Sequence, residues 1–111
     1  MLPKAKRLNL SKDFKFVASG VKINTHNFKV MYKFKGEEEP LVGVAISKQN
    51  FKKAVDRNRA KRLCFEVLKK IYPSLKRGLN LVIMPRAQIL QGSTDDLSLE
   101  LGKINDIHKT D

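Results

Sequence analysis

The feature that most constrains the fold is a helical stripe in the second half of the chain. Ala60, Leu63, Cys64, Val67, Leu68 and Ile71 fall at i, i+3, i+4, i+7, i+8 and i+11, the spacing of one buried face of an α-helix. It predicts a helix over residues 52–72, stopped by Pro73 because proline has no amide hydrogen and cannot continue the ladder. Cys64, inside the stripe, has a plain packing role as a small buried side chain. A helix with one apolar stripe must bury it against something else, and the rest of the chain supplies strands.

Residues 28–34 alternate. Phe28, Val30, Tyr32 and Phe34 point one way, Lys29, Met31 and Lys33 the other, so a strand with one aromatic-rich and one basic face is predicted. A short strand is expected around Ile23. Residues 36–40, Gly-Glu-Glu-Glu-Pro, read as a hairpin loop into a near-continuous apolar run at 41–47, the pattern of a strand covered on both sides. Gly78 precedes a further strand at 79–84, ended by Pro85. Ser11 is the expected cap of a first helix running to Ser19, closed by Gly20 and turning Phe14, Val17 and Ala18 inward. Ser93, with Asp96 three residues on, resembles a capping box for a last helix over 94–108, with Leu97, Leu101 and Ile104 on its inner face. The order implies an α+β sandwich, helices on a small mixed sheet. With 111 residues, residues 1–111 form a single domain.

Charge narrows the function. Lys and Arg number 23 against 11 acids, a net charge of +12. Residues 1–35 carry nine bases and one acid, and residues 48–77 eleven bases and two acids, whereas residues 87–111 carry two bases and five acids. Segregated positive charge on this scale points to a polyanionic partner, with acidic patches left to face away from it. The single Cys64 can form neither an internal disulfide nor a cysteine metal site, which fits a reducing, cytoplasmic setting. The opening residues hold no apolar run of signal-peptide length, and no later stretch is suited to a bilayer.

The cations concentrate on the long helix. Asn58, Lys61, Arg62, Phe65 and Lys69 project opposite the core stripe, Arg59 lies at its flank, and Arg57 emerges near the helix start. A solvated helix face usually interleaves glutamates at i+4; here only Glu66 does so. Rows of fixed cations suit a phosphate backbone, arginine forks engage phosphate oxygens in pairs, and Asn58 adds a donor and an acceptor for a base edge or 2′-hydroxyl. Phe65 reads equally as a stacking platform for a base and as a plug under another element. Phe28, Tyr32 and Phe34, with Phe14 and Phe16, form a second candidate surface that could stack unpaired bases, but most of them are expected in the core, Tyr32 being the best exception because its hydroxyl needs a polar neighbour.

No enzyme site is legible. His26 and His108 lie far apart without a supporting motif, and Glu37–Glu39 and Asp95–Asp96 sit at a turn and a helix start, where solvation and the helix dipole explain them. A phosphate-loop glycine pattern and Cys/His ligand spacing are both missing. Chemistry served by this protein is expected to come from its partner.

Lys48 followed by Arg57-Asn58-Arg59-Ala60-Lys61-Arg62-Leu63 closely resembles the RNR signature of the bacterial ribonuclease P protein family. Leu2-Pro3-Lys4, Arg7-Leu8, Lys12-Asp13-Phe14, Val42-Gly43-Val44, Ser47-Lys48, and residues 79–83 with Arg86 extend the likeness over most of the chain. The resemblance implies an α-β-β-β-α-β-α fold, ribosomal-protein-like, with a left-handed βαβ crossover. It implies that a catalytic RNA, with Mg²⁺ held by RNA and substrate rather than by this chain, removes the 5′ leader of precursor tRNA. Arg57, Asn58, Arg59, Lys61 and Arg62, with Lys53 and Lys69, would contact the catalytic RNA. Phe14, Phe16, Tyr32 and Lys48 would line or flank a cleft for the single-stranded leader, between the sheet and the first helix. The implied partners are the catalytic RNA and precursor tRNA, with no membrane and no obligatory protein partner. Two departures stand out: Phe65 occupies a place where the family often has Arg, and Ala18 one where a bulky aromatic is frequent.

Three rivals share parts of this pattern. A structural RNA-binding protein without a processing role would share the charge, a protein-only nuclease would need a catalytic constellation, and a helix-turn-helix module would not have a first half dominated by strands.

Overall fold

The computed structural model describes residues 2–109. Three helices, α1 (Leu10–Ala18), α2 (Ala54–Ile71) and α3 (Thr94–Gly102), accompany four strands, β1 (Val21–Asn24), β2 (Phe28–Phe34), β3 (Leu41–Val44) and β4 (Leu79–Pro85). Short 3₁₀ turns lie at Lys4–Lys6, Tyr72–Ser74, Ala87–Gln91 and Asn105–Ile107. The sheet order is β1-β2-β4-β3. β3 runs parallel to β4 and the other two pairings are antiparallel. α2 connects the parallel pair, so the element order is the α-β-β-β-α-β-α expected.

Alternation in β2 divides the protein into two layers of core. Phe28, Val30 and Tyr32 join Leu79, Leu81 and Ile83 of β4 beneath Ala60, Cys64, Val67, Leu68 and Ile71 of α2 and Leu97 and Leu101 of α3. Met31 and Val82 face the other way, against Val17 of α1 and Leu8, with Phe14, Phe16 and Ala18 packed around them. β4 is therefore covered on both faces, which explains its apolar run at 81–84. Each fully buried Leu, Ile or Phe contributes about 1.5–3 kcal/mol by leaving water. Phe34, at the end of β2, remains 41% exposed although its parity matches the inner row.

Local chemistry moves several boundaries. Asn9, not Ser11, is the N-cap of α1; Ser11 donates its hydroxyl to Asn9 Oδ1 at 2.7 Å. β3 ends at Val44, after one further backbone bond from the Ala45 amide to the Ile83 carbonyl. α2 begins at Ala54 rather than residue 52. Ser93 caps α3 as expected, accepting from the Asp96 amide at 3.1 Å. That helix stops at Gly102 rather than running to 108, since glycine weakens a helix by about 1 kcal/mol. The apolar period continues only because a 3₁₀ turn then folds Ile107 into the core, and the Lys76 amide donates to its carbonyl at 3.0 Å. Gly78 is required at its turn: its φ is +80°, and a Cβ there would lie 2.3 Å from the Gly36 carbonyl oxygen.

Candidate nucleic-acid interface

α2 presents its apolar stripe to the sheet and leaves Asn58, Arg59, Lys61, Arg62, Lys69 and Lys70 exposed. A groove of about 750 Å³ runs along this side, lined by Asn58, Lys61, Arg62, Phe65, Glu66, Lys69, Lys70 and Thr94. Arg59 faces a smaller recess of about 240 Å³, shared with Arg62, Leu63, Glu66, Leu90 and Gly92. Five of the seven α2-side residues expected from the sequence are thus free to meet a polyanion along the helix. Asn58, Lys61, Arg62 and Lys69 share one groove, and Arg59 adjoins it through Arg62. Lys53 is exposed at the N-cap position of α2. Lys70 pairs with Asp95 across to α3, and this ammonium holds the Asp95 carboxyl below its ordinary range.

Arg57 is placed differently. It is half-buried, and its Nη1 donates to the carbonyls of Phe51 at 2.9 Å and Lys52 at 3.0 Å. The side chain thereby braces the loop that enters α2.

Phe65 is 7% exposed and belongs to the main core cluster. Of the two sequence readings, the plug is the one observed. Residues 4–10 run beside β3, with the Leu8 amide donating to the Val42 carbonyl at 2.8 Å. Together with α2 they enclose a second recess of about 440 Å³, in which Lys4, Arg7 and Leu10 meet Lys61 and Phe65. Lys4 and Arg7 thus join the α2 surface. Sequence reasoning missed this because an N-terminal segment without periodicity gives no signal of where it lies.

Tyr32 requires a correction. It is 3% exposed in the core beneath α2, on the face of the sheet turned away from α1. Its hydroxyl donates to Asp106 Oδ2 at 2.7 Å. Burial, then the hydrogen bond and charge of Asp106, push this hydroxyl up to about 12. Alternation correctly grouped Tyr32 with Phe28 and Val30; the error was to place that group beside the first helix, which packs on Met31 instead. Phe14 and Phe16 do lie on the α1 side. The Phe16 ring carries Lys33 Nζ at 4.6 Å and Lys35 Nζ at 5.5 Å. Lys48 is exposed in the loop between β3 and α2.

The remaining candidate groups have structural partners. His108 contacts Ser74 Oγ at 2.6 Å through Nδ1 and the Leu101 carbonyl at 3.0 Å through Nε2. Burial pushes the Cys64 thiol up to about 12, leaving it poorly nucleophilic. Among the described residues, no group of three His, Cys, Asp or Glu side chains is placed to hold a metal ion, and no helix is long and apolar enough to cross a membrane.

Comparison with known proteins agrees with this geometry. The family model described as Ribonuclease P matches residues 2–108. The ribonuclease P protein component of Nitrosococcus oceani is 36% identical over 86 residues, 77% of this chain and 71% of that protein. The corresponding protein of Caldanaerobacter subterraneus subsp. tengcongensis is 30% identical over 105 residues, 94% of this chain and 90% of its own. Among solved structures, the RNase P protein from Thermotoga maritima superposes with a TM-score of 0.78 at 21% identity, covering 93% of this chain and 98% of that one. The RNase P protein from Staphylococcus aureus gives 0.75 at 22% identity, covering 100% and 97%. A match along nearly the whole length, in sequence and in fold, establishes that this chain belongs to the ribonuclease P protein family.

Proposed function

We propose that this chain is the protein subunit of a ribonuclease P ribonucleoprotein, which removes the 5′ leader from precursor tRNA. The observation that carries the proposal is the outer face of α2, where Asn58, Lys61, Arg62 and Lys69 line one groove with a single carboxylate, Glu66. Such a row neutralises successive phosphates and, through Asn58, offers hydrogen bonds to a base edge or 2′-hydroxyl. The catalytic RNA is the partner for this face, with Lys53 and Arg59 at its margins. The leader of precursor tRNA lies on the opposite side of the sheet, near Phe14 and Phe16, with Lys48 flanking its path.

Hydrolysis belongs to the RNA in this reading, with Mg²⁺ bound by RNA and substrate. This chain contributes binding: its cations lower the repulsion between two polyanions and so tighten the substrate complex. A cytoplasmic setting suits the lone, buried Cys64 thiol.

The test is reconstitution with a bacterial ribonuclease P RNA. The protein is expected to lower the Mg²⁺ concentration needed for precursor-tRNA cleavage and to tighten binding of precursor over mature tRNA. A protein that binds this RNA yet changes neither quantity would be a structural RNA-binding protein instead.

A further inference from the structure

The groove along α2 holds one residue for which a purely phosphate-binding surface has no use. Glu66 lines it among Lys61, Arg62, Lys69 and Lys70, and also borders the neighbouring recess that contains Arg59. Its side chain is exposed. A glutamate on a solvated helix face ordinarily pairs with a base three or four residues away. Three bases stand at those spacings, Arg62, Lys69 and Lys70, and none of them takes it. Lys70 reaches across to Asp95 on α3, and the other ion pair among the described residues joins Lys76 to Asp106.

An unneutralised carboxylate in this place repels every phosphate that the surrounding cations attract. It weakens binding to any RNA backbone, whatever the sequence, so backbone contact is not its use. A ligand offsets the repulsion only by presenting hydrogen-bond donors, which a phosphate diester lacks and a base edge has. The placement favours such a contact. Asn58, Arg62 and Glu66 occupy one i, i+4, i+8 row of α2 and all line the groove, with about 6 Å of helix rise between successive members. An amide, a guanidinium and a carboxylate thus follow one another, two groups able to read bases on either side of a phosphate fork. The two carboxylate oxygens match a pair of parallel N–H donors. Guanine is the base that carries such a pair, N1–H beside the N2 amino group on its Watson–Crick edge.

We infer that Glu66 is a specificity-determining residue of the RNA-binding face, accepting hydrogen bonds from the Watson–Crick edge of an unpaired guanine in the partner RNA. The inference rests on the proposed ribonuclease P role and deepens it. Lys61, Arg62 and Lys69 attract RNA in general, whereas Glu66 penalises every RNA that does not place a guanine against it. Discrimination then comes from the charge that a wrong RNA leaves unsatisfied.

Glu66→Ala and Glu66→Gln test this beside the wild-type protein, on a bacterial ribonuclease P RNA and on polyuridylate. Because the side chain is exposed, both variants should keep the native melting temperature. Glu66→Ala is expected to bind polyuridylate more tightly, since a negative charge has left the groove, yet ribonuclease P RNA more weakly. The ratio of the two affinities should fall roughly 5- to 150-fold, the range for one lost bidentate base contact. Glu66→Gln, which keeps one acceptor oxygen, should fall between. Kethoxal, which modifies guanine at N1 and N2, gives a second readout. The wild-type protein should shield a guanine of ribonuclease P RNA that Glu66→Ala leaves reactive, with other protections kept. Tighter binding of both RNAs by Glu66→Ala, or no change for either, would overturn the assignment, as would identical kethoxal patterns. A wild-type protein that does not prefer ribonuclease P RNA to polyuridylate would sink the proposed function, and this role of Glu66 with it.

Discussion

The hydroxyl of Tyr32 reaches through the core to Asp106 Oδ2 at 2.7 Å, joining the centre of β2 to the 3₁₀ turn after α3. Lys76 Nζ lies 3.8 Å from the other oxygen of the same carboxylate. The contact closes the C-terminal turn onto the sheet and accounts for the polar partner a buried tyrosine needs.

Tyr32→Phe is therefore expected to cost about 0.5–1.5 kcal/mol, the usual net value of one hydrogen bond, because Asp106 is exposed and rehydrates. Tyr32→Ala should cost about 3–5 kcal/mol by opening a core cavity. Thermal and denaturant unfolding measure both. Neither change should alter the dependence of substrate affinity on leader length, so a leader-specific loss in the stable Phe variant would return Tyr32 to the binding surface.

Glu100 fastens α3 to the β1–β2 turn. Its carboxylate accepts from Thr25 Oγ1 at 2.5 Å, the Asn27 amide at 2.8 Å and Asn27 Nδ2 at 2.7 Å. Burial alone would raise its pKa, but the hydrogen bonds from Thr25 and Asn27 together outweigh burial and lower it. A carboxyl lowered in the folded state stabilises the protein above its unfolded pKa, about 4.3 for Glu, and loses that contribution as pH falls through the lower folded value. Glu100→Ala should cost about 1–2 kcal/mol near neutrality and flatten the acid limb of the stability curve. Unfolding free energies measured across the acid range check this, an unchanged acid limb being the contrary result.

How much of this was legible in the sequence depends on the range of the interaction involved. The α2 stripe and the β2 alternation are local periodicities, and they placed Cys64, Val67, Leu68, Phe28 and Val30 correctly in the core. Which face of β2 would meet α1 was not local, since it depends on how α1 crosses the sheet; Met31 and Tyr32 differ by one residue and sit in opposite layers. Periodicity leaves Phe65 open between two readings for a related reason. Helical phase puts it opposite the stripe, and only the N-terminal residues, which wrap that side of α2 and bury it, decide for the plug.

Phe65 consequently makes a stability prediction. Phe65→Ala should destabilise the fold by about 3–5 kcal/mol. Phe65→Arg should cost somewhat less if its aliphatic stem follows the same groove while the guanidinium reaches solvent. It would also restore the cation frequent in the family at this place and steepen the salt dependence of RNA binding. Melting curves and salt titrations on the two variants separate packing from charge. A base-stacking role predicts the reverse for Ala, weak RNA binding at unchanged melting temperature.

Arg57 and Arg62 stand five residues apart on α2 and do different work. Arg62 is exposed and lines the groove with Asn58 and Lys69, whereas Arg57 Nη1 is held by the carbonyls of Phe51 and Lys52. Arg62→Ala should leave the melting temperature unchanged and reduce the log–log salt slope for catalytic-RNA binding by about 0.7–0.9, the value of one phosphate contact. Arg57→Ala removes two charge-assisted hydrogen bonds from the entrance to α2, so it should lower stability by about 1–3 kcal/mol. Faster amide exchange at residues 54–57 should accompany that loss, because the bracing holds the first turn in place. Its effect on the salt slope should be smaller than that of Arg62→Ala. The decisive comparison is slope against stability in the same two proteins: a full-size slope change with an unperturbed melting temperature in Arg57→Ala would make it a phosphate contact like its neighbour.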